Sequence, residues 1–129
     1  MDEKRNRKRE NYKKAFSTLS KLIELENPSL GEKMGIIKAF ELTFELGWNV
    51  LRDMLVADGQ SGMQGSRDVI RNAYDSGMIE SAEDWLDAVS DRIKTAHTYD
   101  EDLIEIVIDN IHSKHFEILS NLWLKLVNK

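Results

Sequence analysis

A chain of 129 residues with no cysteine and a single proline is the size of one domain and has neither a disulfide framework nor a thiolate metal site. Hydrophobic residues are 41% and charged residues 32%, the balance of a globular domain with long solvated helical faces, and the net charge of −5 argues against broad duplex nucleic-acid binding through one basic face. No stretch approaches the roughly 18 uninterrupted apolar residues of a membrane span, and no apolar run follows the charged N-terminus as in a signal peptide, so the expected location is cytoplasmic with no membrane contact.

In chain order, the first fourteen residues hold seven Lys or Arg against three acids, a basic arm on an acidic body, with residues 1–10 expected to fray. A first helix is predicted from about Lys4 to Glu26, on the stripe Tyr12, Phe16, Leu19 and Ile23. Asn27-Pro28-Ser29 ends it, because proline cannot continue the hydrogen-bond ladder. A second helix follows from about Ser29 to Ala57, burying Met34, Ile37, Phe40, Phe44, Trp48, Leu51 and Leu55, with Gly59 as its stop. The glycine-rich run 58–65 follows no strand and precedes no Gly-Lys-Ser/Thr, so it reads as a mobile connection rather than a phosphate loop. Ser66 is expected to cap a short helix with Val69, Ile70 and Ala73 inward, ending at Gly77. Ser81 with Asp84 opens a helix whose inward residues are expected to be Trp85, Leu86, Val89, Ile93 and Ala96. Asp100 caps the last helix, with Ile104, Ile108, Ile111, His115, Ile118, Leu122 and Leu126 in one stripe.

These elements predict an all-α fold, an antiparallel up-and-down four-helix bundle with an extra short helix, forming a single domain over residues 1–129. Leu103, Val107, Leu119, Trp123 and Leu124 lie beside the last stripe. That surplus predicts a second buried surface, most simply a homodimer.

The run Asp91-Arg92-Ile93-Lys94-Thr95-Ala96-His97-Thr98-Tyr99 gathers a guanidinium, an imidazole and a phenol. Arginine is a planar donor suited to phosphate, and histidine exchanges protons near neutrality. On an ideal helix, positions five apart lie about 140° around the axis, so Arg92 and His97 share a site only if the helix end bends or two copies meet. Spacing alone also fits a salt bridge and a histidine capping the helix end. Glu41 and Glu45, one turn apart beside Phe44 and Trp48, repel each other unless a cation answers them. Arg92, Arg52 and Arg71 are the candidates. His112 and His115 with Asp109 lack a convincing further ligand, so no metal site is expected.

Gly35-x-x-Lys38-Ala39-Phe40-Glu41-x-x-Phe44-Glu45-x-x-Trp48-x-x-Leu51, then Ser66-Arg67-Asp68-Val69-Ile70-Arg71-x-Ala73, Gly77-x-Ile79, Trp85-Leu86 and Asp91-Arg92-x4-His97-Thr98-Tyr99 resemble one family over roughly residues 10–125. It is the nucleotidyltransferase substrate-binding-protein family, the HepT-like branch of the HEPN superfamily. The resemblance implies a helical dimer and a partner, a small nucleotidyltransferase on a separate chain that would itself use ATP and Mg. No cofactor is implied for this chain. Two activities attach to such families. One is substrate binding for the two-chain nucleotidyltransferase, as in a toxin–antitoxin-like module. The other is metal-independent RNA cleavage, with Arg92 on the scissile phosphate, His97 exchanging the proton, and Tyr99 silenced by adenylylation. Ile93 stands where the ribonuclease members usually carry a polar residue, most often Asn, which weighs against cleavage. A ligand-free dimeric scaffold is the remaining alternative.

Overall fold

The computed structural model describes residues 3–97 and 100–128. Among the described residues seven helical segments follow in order: α1 (Glu3–Leu22), α2 (Leu30–Ala57), α3 (Ser66–Asp75), α4 (Ala82–His97), α5 (Glu101–Asn110), a π-helical turn (Ile111–His115) and α6 (Phe116–Val127). The last three run on as one rod, so four long helices and the short α3 make an all-helical bundle, with no strand among the described residues. No described helix is long and apolar enough to cross a membrane.

α1 is helical from Glu3, so its basic segment is part of the rod. The helix ends at Leu22, short of the expected Glu26: the chain tightens through Glu24 N to Lys21 O and Leu25 N to Leu22 O, then Asn27 enters the left-handed region at φ 48°. α2 opens on a reciprocal cap. Ser29 Oγ accepts from Glu32 N at 3.1 Å, and Glu32 Oε1 accepts from Ser29 N at 2.9 Å. Ser29→Ala is therefore expected to cost about 1 kcal/mol in thermal unfolding. A variant that melts with the wild type would show that the box contributes nothing.

Met34, expected inward, is 46% exposed. The first turn of α2 instead ties Lys33 to Glu105 of α5, and core contact begins one turn later at Ile36 and Ile37. Gly59 (φ 94°) and Gly77 (φ 76°) each close a helix, with Gln60 N bonded to Leu55 O and Met78 N to Ala73 O. Ser66 does not cap α3. Gly65 holds the cap position with no side-chain bond, and Asp68 Oδ2 accepts from Gln64 N at 3.0 Å.

Close approach of α1, α2 and α6 depends on Gly47. A Cβ there would stand 3.0 Å from Tyr12 Cε1. The Tyr12 phenol passes this gap and donates to Leu119 O at 2.6 Å. Burial pushes its pKa well above the ordinary value, so it remains a donor.

The surplus of apolar residues on the last rod is largely consumed inside the chain. Val107 and Leu119 are fully buried, and Trp123 stacks on Phe16 at 5.7 Å. The rod lies against α1, α2 and α4 at once, so it buries more than one seam. Leu124 alone of the five is exposed.

Candidate functional site

Ser81 Oγ accepts from Asp84 N at 3.1 Å and starts α4. Its inward residues are Trp85, Ala88, Val89 and then Asp91, while Ile93 and Ala96 are exposed rather than inward. The inward stripe, continued at three- and four-residue steps, passes through Arg92 and Thr95. Along α2, Glu41, Glu45, Trp48 and Arg52 follow the same helical spacing and are all partly exposed. The two stripes meet.

Arg92 Nη2 lies 3.2 Å from Glu45 Oε2. The same oxygen accepts from Trp48 Nε1 at 3.1 Å. Thr95 Oγ1 donates to Glu41 Oε2 at 2.7 Å, and its hydroxyl also lies 3.2 Å from Arg92 O. One carboxylate thus answers the cation and the other a hydroxyl, which separates the tasks of two acids one turn apart. The side chains of Arg92 and Glu45 are 39% and 42% exposed, so the pair contributes little to stability and acts chiefly to orient the guanidinium. Of the other candidate cations, Arg52 lies over the Trp48 ring and Arg71 is exposed on α3.

Phe44 is not in this cleft. At 1% exposure it lies beneath, between Phe40 (6.1 Å) and Trp85 (5.7 Å), and seats α2 on α4. α4 remains helical through His97, without unwinding after Thr95, so the backbone sets positions 92 and 97 about 140° apart around its axis. The His97 side chain, Thr98 and Tyr99 lie outside the described residues.

Directly behind Arg92 is a buried cluster. Asp91 Oδ2 accepts from His115 Nε2 at 2.7 Å and from Asn110 Nδ2 at 3.0 Å. A carboxylate only accepts, so Nε2 carries the proton in that bond. His115 Nδ1 is buried without a partner, and the ring stacks on Phe40 at 5.1 Å. Burial would raise the Asp91 pKa, but the bonds from His115 and Asn110, with the charges of His115 and Lys94, outweigh it and hold the carboxyl below its usual value. The π-helical turn, a local widening often found where a helix serves a site, ends on this histidine. His112 is exposed while His115 faces Asp91, so the two do not converge, and no group of metal-ligating side chains gathers among the described residues.

Sequence reading places Arg92 with an acid of α2 and misses Thr95 and the Asp91–His115–Asn110 cluster. The signal for the latter was an acid in the buried register of one helix and a histidine on the core stripe of another.

A crystallised protein from Thermus thermophilus is 32% identical and superposes with a TM-score of 0.81, over 89% of this chain and 98% of that one. No curated protein matches the chain. Residues 7–128 match the family described as nucleotidyltransferase substrate binding protein like. With nearly its whole length accounted for, the chain belongs to that family.

Proposed function

We propose that this chain is the helical, substrate-binding partner subunit of a two-component nucleotidyltransferase, working in the cytoplasm as a homodimer beside a separately encoded catalytic chain in a toxin–antitoxin-like pair. The observation that carries the reading is the partly exposed Arg92–Glu45–Trp48 cluster on a fold whose family is described by nucleotidyltransferase substrate binding. Arg92 is held in place by a carboxylate yet keeps a face to solvent, the condition for a cation that binds rather than braces. The helical course of α4 through His97 supports the dimer: positions 92 and 97 diverge on one helix, so a site that used both would draw them from two copies across a twofold axis.

The competing reading, a HepT-like ribonuclease using Arg92 and His97 with Tyr99 as the adenylylated residue, meets an obstacle at Ile93. That side chain is 38% exposed beside Arg92 and offers no hydrogen bond to an RNA strand. An exposed apolar residue there suits contact with protein. Purified chain incubated with bulk RNA and EDTA is therefore expected to leave the RNA intact. Cutting gained only by Ile93→Asn agrees with this reading. Strong metal-independent cutting by the wild type, abolished by Arg92→Ala, would instead make the chain an active ribonuclease.

A further inference from the structure

α1 and α2 run antiparallel, with Lys8 beside Asp53 at one end and Tyr12 against Gly47 nearer the middle. Between them, on the solvent side, lies a groove of about 380 Å³. Its α2 wall is apolar: Leu42 and Leu46 stand one turn apart, and Leu42 is 50% exposed. Ala15 and Thr18 line the α1 side. The Thr18 hydroxyl donates to Lys14 O at 3.2 Å and is satisfied within its own helix. The groove follows the α1 flank of α2, whereas Glu45 meets Arg92 on the α4 flank, so an occupant here leaves that cleft open.

The charge around this groove is one-sided. Lys14 lines it, Lys21 follows one turn after Thr18, and Lys38 precedes Leu42 by one turn. All three are exposed, and no carboxylate among the described residues lies within ion-pair distance of them. Only three acids, Glu10, Glu41 and Glu45, lie within four residues of the lining positions, and each is engaged. Glu10 pairs with Lys13 at 2.9 Å, Glu45 with Arg92 at 3.2 Å, and Glu41 accepts from Thr95. A chain of net charge −5 thus carries a locally positive groove. Lysines alone would be an ordinary solvated face, but these border exposed leucines, and the two together select an occupant that is apolar on one side and acidic at its edges. A nucleic-acid strand would use the lysines and leave the leucines bare, because no aromatic side chain lines the groove for a base to stack on. A slot between two antiparallel helices seats a third helix through anchors three, four and seven residues apart.

We propose that this groove docks an acidic amphipathic helix of the nucleotidyltransferase chain, its apolar ridge on Leu42 and Leu46 and its flanking Asp and Glu side chains facing Lys14, Lys21 and Lys38. This deepens the two-chain reading and rests on it for the identity of the partner; the chemistry of the occupant comes from the groove. Charges at the edge of such an interface steer association and are screened by salt, while the central leucine holds the complex once formed.

The test measures the Kd between the full chain and the purified nucleotidyltransferase of the adjacent reading frame, by calorimetry at about 0.05 and about 0.5 M NaCl. Leu42→Ser, and the double reversal Lys14→Glu with Lys38→Glu, are each expected to raise Kd about tenfold or more. Lys125→Glu, the same reversal on exposed α6, is expected to raise it by less than about twofold. Wild-type affinity is expected to fall at the higher salt, and the double reversal to lose most of that dependence. All these side chains are exposed, and far-UV circular dichroism checks that each variant is folded. Wild type that binds the partner no better than the groove variants overturns the groove alone and leaves the two-chain reading standing. Wild type that binds no nucleotidyltransferase overturns both. Two parallel measurements cover the other occupants, with partner affinity unchanged in each case. Self-association lost in Leu42→Ser would give the groove to a second copy, and binding of mixed-sequence RNA lost in the double reversal would give it to nucleic acid; either result overturns the proposal.

Discussion

Asp91→Ala is expected to lower unfolding stability by about 3–5 kcal/mol, among the largest losses from substitutions near the site. Asp91 is 6% exposed, and its carboxylate is the acceptor for both His115 Nε2 and Asn110 Nδ2. Truncation strands the buried His115 Nε2, beside the already unpartnered His115 Nδ1, and the half-buried Asn110 amide, and a stranded buried group costs about 1–3 kcal/mol. It also unties α4 from the last rod one residue before Arg92, so the guanidinium loses its backbone anchor. Asp91→Asn retains an acceptor and is expected to lose less. The sign of the pH dependence follows from the lowered pKa of Asp91. Its stabilisation is fully present above the unfolded carboxyl value, about 3.9, and is lost as pH falls through the lower folded value. Urea unfolding at pH 7 and at pH 3 checks both points: wild type is expected to lose stability in acid, and Asp91→Asn to lose less of it. A wild-type-like midpoint for Asp91→Ala at pH 7 would contradict the cluster.

Phe44→Ala is expected to cost a comparable amount, about 3–5 kcal/mol, by opening a cavity under the site. Phe44 lies between Phe40 on its own helix and Trp85 on α4, so it sets the distance at which the Glu41–Glu45 stripe meets Arg92 and Thr95. Phe44→Leu, which refills most of the volume, is expected to recover the larger part. The urea midpoint measures it, and a loss below about 1 kcal/mol would mean that the ring is not the wedge described.

Much of this architecture is legible in the sequence because its signals are periodic. Tyr12, Phe16 and Leu19 repeat as a helical stripe and are buried, and Gly59 and Gly77 stop helices where left-handed backbone is needed. Periodicity does not say where a stripe ends. Met34, Ile93 and Ala96 continue apolar patterns beyond the region where a neighbouring helix covers them, and all three are exposed or partly so. Nor does it say how many neighbours one helix has: Val107 and Leu119 look surplus until the last rod is seen against three other helices.

At the site, the pairing of Arg92 with Glu45 is legible because two acids one turn apart beside aromatics need an answer. Thr95 as the answer to Glu41 is not, because a hydroxyl carries no charge to balance and is common on helix surfaces. Asp91 with His115 lies between these cases. Each is visible as a polar residue in a buried register, but 24 residues of chain separate them, and only the packing of α4 on the π-helical turn shows that they meet.

The central claim, that this chain works with a separate nucleotidyltransferase, is tested most directly by co-expression. The adjacent reading frame is expected to encode a small nucleotidyltransferase with Gly-Ser and Asp-x-Asp motifs. Sedimentation velocity of the co-expressed pair is expected to show one stable complex containing both chains, and of this chain alone a dimer. A chain that sediments as a monomer beside an unbound nucleotidyltransferase at micromolar concentration would contradict the account.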